Sequence, residues 1–117
     1  MKLIDVISIP VTDQQVAKEF YLKFGFKIIV EAPFQGGANW IQMGLPNAET
    51  SITLVNWFPQ LKPGSIAGYV IKCDDLDKTV AELTAKGITV GNADKTQWGR
   101  FATVKDPDGN AWSLNGK

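Results

Sequence analysis

Two landmarks recur in this chain at one fixed separation, and they constrain the fold more than any other feature. Asp13 stands before a stretch in which Val16, Ala17, Phe20, Tyr21 and Phe24 recur at helical spacing, and Gly25 stops it. A shift of 62 positions carries Asp13 onto Asp75 and Gly25 onto Gly87. Between the second pair lie Leu76, Val80, Leu83 and Ala85, again a helix. Thr12 or Asp13 is the expected N-cap of the first helix and Asp74 or Asp75 that of the second, because a side-chain oxygen there satisfies the free amides of the first turn. Two helix ends that superpose under one offset make a duplicated unit the economical reading.

The segments around each helix alternate as strands do. In the first half they run near Ile4 to Val11, Phe26 to Glu31, Trp40 to Met43 and Ser51 to Trp57. In the second they run near Ala67 to Cys73, Ile88 to Val90, Arg100 to Lys105 and Ala111 to Leu114. The order is βαβββ twice, which predicts an α+β fold of two tandem βαβββ modules forming cupped mixed sheets. A chain of 117 residues fits one domain by size. Within residues 1–117, module one covers about 1–57, a proline- and glycine-bearing linker, "FPQLKPGS", covers about 58–65, and module two covers about 66–117.

Several partner classes are disfavoured. Twelve basic and twelve acidic residues cancel, so no net field draws the protein to nucleic acid or to an anionic membrane. No run approaches the ~20 apolar residues of a membrane span, and "MKLIDVISIPVTD" lacks the apolar core of a signal peptide, so a cytoplasmic location is expected. The single cysteine, Cys73, has no disulfide partner in the chain and no histidine to activate it, and reads as a small packed residue.

The stretches "VISIPVTDQQVAKEFYLKFGF", "ETSITLVNWFPQLKPGS", "VIKCDDLDKTVAELTAKGI" and "WGRFATVKDPDGNAWSL" together resemble the vicinal oxygen chelate superfamily of glyoxalases, bleomycin- and fosfomycin-resistance proteins and extradiol dioxygenases. In its metal-binding members, a histidine on the first strand of each module and a glutamate on the fourth hold a divalent ion. Carried over position by position, the histidine sites fall on Val6 and Gly68 and the acidic sites on Thr53 and Ser113. Hydroxyls, a valine and a glycine do not hold a transition metal strongly, and the chain contains no histidine at all. The resemblance therefore implies a member that lacks the metal ligands, with no cofactor expected.

Strand parity identifies what shares a face with the vacated positions. Ser8 follows Val6, and Val55 and Trp57 follow Thr53, while Leu54 faces the helices. If the "DPDGN" turn pairs Lys105 near Ala111, Ser113 lies opposite Thr103 with Phe101 alongside. Trp40 and Gln42 join them from the third strand. The expected ligand-binding set is thus Trp40, Gln42, Thr53, Trp57, Phe101, Thr103 and Ser113, with Arg100 at the rim to meet an anion: aromatic walls and neutral hydrogen-bonding groups, suited to a small organic ligand with flat apolar parts. Trp112 shares the helix-facing side with Leu114 and belongs to the core. "FQGGAN" reads as a mobile hairpin loop beside the pocket mouth, and Asp5, Glu31 and Glu49 are the remaining candidates for a carboxylate base. The expected function is metal-independent small-molecule binding, similar in logic to the bleomycin-resistance proteins; the alternative is a glyoxalase-like lyase or isomerase acting on a small metabolite. The tryptophan surplus and the resemblance imply a homodimer.

Overall fold

The structure is a computed structural model, and it describes residues 1–116. Its order is β1 (Val6–Pro10), α1 (Gln14–Phe24), β2 (Lys27–Pro33), β3 (Asn39–Gly44), β4 (Ser51–Val55), β5 (Tyr69–Lys72), α2 (Leu76–Ala85), β6 (Asp94–Thr96), β7 (Gly99–Lys105) and β8 (Ala111–Gly116). The duplication extends to individual hydrogen bonds. Asp13 caps α1 by accepting from the amides of Gln15 and Val16 at 2.9 and 3.1 Å, and Asp75 caps α2 by accepting from Lys78 at 3.1 Å. At the other end, Phe26 N–H donates to the Tyr21 carbonyl at 2.9 Å, and Ile88 N–H donates to Leu83 at 3.0 Å. These are the same closing bond displaced by 62 positions, each made possible by a left-handed glycine at Gly25 or Gly87.

Two four-stranded mixed sheets result, ordered β1-β4-β3-β2 and β5-β8-β7-β6, giving the α+β architecture of two cupped sheets. Each sheet pairs its first strand parallel to its fourth, β1 with β4 and β5 with β8, and its other neighbours antiparallel. Ser8 stands beside Thr53 and Thr53 beside Gln42; in the second sheet Val70 stands beside Ser113 and Ser113 beside Thr103.

One face of each sheet looks toward the helices, and those faces share one core. Ile9, Ile41, Met43, Ile52 and Leu54 from the first sheet cluster with Ala102, Val104, Trp112 and Leu114 from the second. Tyr21 and Phe24 of α1 reach across to Trp112, with ring centroids 6.1 and 6.2 Å away. The "DPDGN" turn locks this junction. Asp106 accepts from Tyr21 Oη at 2.8 Å, and Tyr21 Oη in turn accepts from Trp112 Nε1 at 3.0 Å. Asn110, fully buried, donates from Nδ2 to the Pro10 carbonyl and to Asp106, both at 2.8 Å, and accepts from Ile66 N–H at 3.1 Å. Asp108 accepts from Thr12 Oγ1 at 2.6 Å. Gly64 is required beside it: its φ is +83°, and a Cβ would collide with the Asp108 carbonyl oxygen. A turn that reads as a plain hairpin is therefore also the clasp between the two halves.

Three strand expectations change. Ile88 to Val90 is not a ladder strand; it contributes one bridge, Val90 to Val104, and Ile88 packs in the core. The edge strand forms at Asp94–Thr96 instead. The fourth strand ends at Val55, so Trp57 lies beyond it.

Candidate functional site

The face of the first sheet opposite the helices carries a row of neutral polar side chains. Ser8 Oγ and Thr53 Oγ1 lie 3.5 Å apart, Gln42 Nε2 donates to Ser51 Oγ at 2.8 Å, and Trp40 Nε1 donates to Gln42 Oε1 at 3.2 Å. Thr53 and Ser51 are almost wholly buried although they lie on this face. These groups are already paired with one another, which holds their rotamers before any ligand arrives.

At one end of the row stands a group of aromatic rings. Trp40 and Trp57 are near parallel, 24° between planes and 6.3 Å between centroids. Phe34 lies 5.5 Å from Trp40 and 4.8 Å from Trp57, and Phe58 adjoins Trp57 at 6.1 Å. Trp57 reaches the group even though its backbone has left β4. Phe34, Phe58 and Ser51 were not anticipated. A signal for Phe34 exists in the two-residue parity of Val30, Ala32 and Phe34: Val30 pairs with Gln42 and Ala32 with Trp40, so the next two-residue step follows the same face. Phe58 sits in an irregular segment where parity carries no information.

Ser113, Thr103 and Phe101 share the corresponding face of the second sheet, with Asn115 beside Phe101. Thr103 is exposed, and Ser113 and Phe101 are half-buried. Within one chain the sheets join through their helix-facing sides, so these three are not brought against Trp40, Gln42, Thr53 and Trp57. Arg100 is directed elsewhere. It shares parity with Ala102 and Val104, and its guanidinium makes two bonds to Asp77 of α2, at 2.8 and 3.1 Å. That pairing holds the Asp77 carboxyl below its ordinary range and raises the Arg100 guanidinium. Arg100 therefore ties helix to sheet on the core side and is not at the concave rim. Of the carboxylates, Glu31 pairs with Lys18 at 3.1 Å opposite Ile41, and Asp5 and Glu49 are exposed.

The residues do not fit a transition metal. The register places Ser8 beside Thr53 and Val70 beside Ser113, while Val6 and Gly68 come two residues earlier, Val6 beside Ser51 and Gly68 just before β5 begins. Whichever first-strand position is taken, the donors are hydroxyls at best. No group of three or more histidine, cysteine, aspartate or glutamate side chains converges among the described residues.

Residues 3–114 match the model of the Glyoxalase/Bleomycin resistance protein/Dioxygenase superfamily. The chain belongs to that superfamily. Among solved structures, TnmS3, an antibiotic binding protein from Streptomyces sp. CB03234, is 39% identical, with a TM-score of 0.93 across 99% of this chain and 96% of its own. A glyoxalase/bleomycin resistance protein from the same organism is 40% identical, with a TM-score of 0.86 across 97% of this chain and 99% of its own. The protein YetH of Bacillus subtilis (strain 168) is 32% identical over 97% of this chain and 98% of its own length.

A cleft of about 800 Å³ lies between α1 and the Lys86–Gly91 segment, and of the expected ligand-binding residues it includes Thr103. Its apolar floor of Val16, Phe20 and Ile88 is flanked by Lys23, Lys86 and Lys105. Volume alone does not identify a superfamily binding site; convergent rings and oriented polar groups do, and those are on the first sheet. Cys73 is half-buried, and burial pushes its thiol pKa up, the direction of an unreactive side chain. No helix among the described residues is long and apolar enough to cross a membrane.

Proposed function

We propose that this chain is a metal-independent small-molecule-binding protein that holds a flat organic ligand in an aromatic-lined cup without transforming it. The observation that carries the reading is the near-parallel pair Trp40 and Trp57 at the end of the neutral row Gln42, Thr53 and Ser8. Indole faces offer large apolar area and a preference for stacked partners, worth ~0.5–1.5 kcal/mol per ring pair beyond the area buried. Neutral donors and acceptors beside them orient a ligand without the desolvation cost of a charge. The antibiotic-binding relative from Streptomyces supports a small-molecule ligand. With a valine, a glycine and two hydroxyls at the family's metal positions, neither a resident metal nor a lyase or isomerase step enters the proposal.

The working form is a homodimer in the cytoplasm. Both concave faces point away from the shared core, so one chain leaves two half-cups. A second copy can set its Phe101, Thr103 and Ser113 face against the Trp40, Gln42, Thr53 and Trp57 face of the first. Trp98, 75% exposed, and the outward Ile28, Ile29 and Val30 of edge strand β2 are the apolar surface such pairing would cover.

A thermal-shift screen of planar aromatic metabolites and antibiotics, followed by indole fluorescence titration of the hits, tests the reading. The expected result is a hit whose binding Trp57→Ala removes and a chelator leaves unchanged. Hits that require added metal, or that bind Trp57→Ala as well as wild type, overturn it.

A further inference from the structure

We propose that Phe34 is a displaceable plug in the aromatic site, standing in for the ligand in the empty protein and so setting what the site accepts. The inference rests on the binding reading above and concerns how that site selects. Phe34 lies nearer to each tryptophan than they lie to one another: 4.8 and 5.5 Å against 6.3 Å. Its ring therefore occupies the position of a third flat body touching both. Unlike Trp40 it does not sit on a strand, and it remains 38% exposed.

The backbone that carries Phe34 is fastened on one side only. The last rung of the β2–β3 ladder pairs Pro33 with Asn39. Asn39 is held there by the buried side chain of Gln14, which donates from Nε2 to the Asn39 carbonyl at 2.7 Å and accepts from its amide at 3.1 Å. The same Nε2 donates to Leu54 at 2.8 Å, anchoring the rung to β4. Beyond the rung the tip keeps only Phe34 N–H to Ala38 at 2.9 Å and Ala38 N–H to Gln35 at 3.2 Å. A Cβ added at Gly36 or Gly37 would meet nothing within 4 Å. A hollow of about 490 Å³ lies beside the tip, bounded by Gln14, residues 35–38, Asn56 and Trp57. Phe34 can thus leave the tryptophans as part of the tip, giving up two ring contacts while the rung and the core stay in place.

Selection follows from what replaces it. An incoming ligand recovers the lost contacts only if it presents a flat aromatic face to both indoles, and its apparent affinity is lowered by the fraction of molecules in which Phe34 is seated. The ligand class is accordingly a fused planar aromatic; a globular apolar molecule of equal area gains too little to displace the plug.

Two probes of equal charge separate these cases: anthracene-2-carboxylate, which is planar, and triptycene-2-carboxylate, which is not. They are titrated into wild type, Phe34→Ala and Trp57→Ala. The planar probe is expected to bind Phe34→Ala about five- to tenfold more tightly than wild type and to be lost by Trp57→Ala, while triptycene binds wild type poorly. In stopped-flow mixing, the observed rate in wild type should level off with probe concentration, at the rate of tip opening, and in Phe34→Ala it should rise linearly. Planar binding by Phe34→Ala alone, with none by wild type, also supports the plug. If Phe34→Ala weakens the planar probe as Trp57→Ala does, Phe34 is part of the wall; the plug is refuted and the binding reading survives. If triptycene binds wild type as tightly as anthracene, the plug is likewise refuted. Equal binding to all three proteins, or binding to none, removes both the plug and the site.

Discussion

Asn110→Ala is expected to cost about 4 kcal/mol of stability. Asn110 has no exposed surface, and its side chain makes three bonds: two donated, to Pro10 and Asp106, and one accepted, from Ile66. Truncation removes all three. A lost bond is worth about 1 kcal/mol net, and each partner left buried without a mate adds ~1–3 kcal/mol. Asp106 keeps its bonds from Tyr21 Oη and from the Asp108 and Asn110 amides, so the stranded groups are the Pro10 carbonyl and the Ile66 amide. Partial relaxation brings the sum to roughly 4 kcal/mol, a large share of the ~5–15 kcal/mol typical of a domain. Asn110→Asp should be worse at neutral pH, because it aims a carboxylate at an acceptor carbonyl and at Asp106. Asn115→Ala is the control: half-buried with one bond of 3.2 Å to the Arg100 carbonyl, it should cost under about 1 kcal/mol. Urea unfolding followed by both indole fluorescence and far-ultraviolet circular dichroism measures all three. An Asn110→Ala protein within about 1 kcal/mol of wild type, or an Asn110→Asp protein no less stable than the alanine variant, would refute the clasp.

Other outcomes follow from the same structure. Trp57→Ala should abolish or sharply weaken ligand binding with little change in stability, whereas Trp112→Ala, 5% exposed among Tyr21, Phe24, Phe26 and Tyr69, should lose ~3–5 kcal/mol in denaturant unfolding. The reverse assignment of the two tryptophans would mean that the sheet faces are exchanged. Burial, reinforced by Asp106, raises the Tyr21 phenol above its ordinary 10.0. The neutral folded form is thus favoured, its contribution is complete below about pH 10, and it falls as pH rises and the unfolded tyrosine ionises. Tyr21→Phe should be less stable at neutral pH and decline less steeply above pH 10; parallel profiles would contradict the buried phenol. Added Zn, Ni, Mn or Fe should leave the melting temperature unchanged, and a rise of several degrees reversed by chelation would show ligands that the register does not place together.

The helices were legible to within a residue because their ends are chemical: an aspartate oxygen receiving amides at Asp13 and Asp75, and a glycine free to turn left-handed at Gly25 and Gly87. The central strands were legible because one face is buried, so alternation records the core. At the edges that record fails. Asp94–Thr96 joins its sheet through backbone bonds with all three side chains exposed, leaving no pattern to read, whereas Ile88 to Val90 looks like a strand because Ile88 is buried by packing and not by pairing. Arg100 shows the other limit. Its parity opposite to Phe101 was readable, but the partner that directs it is Asp77 on α2, a contact between segments that alternation does not describe. The ring cluster was half legible for the same reason: Trp40 lies on a strand, while Phe34, Trp57 and Phe58 arrive from irregular backbone.

Among the described residues no strand pairs outside its own half, so the backbone between Val55 and Tyr69 carries no ladder. Cutting it near Gln60 would sever neither sheet. What joins the halves is noncovalent: Tyr21 to Asp106, Trp112 to Tyr21, Asn110 to Pro10 and Thr12 to Asp108, around the shared core. Two peptides of about 60 residues, each marginal alone, should therefore reconstitute the protein when mixed. By the same logic a half from one molecule fits its complement in another, and the connection that makes this one chain becomes a tether whose main effect is to raise the local concentration of each half around the other.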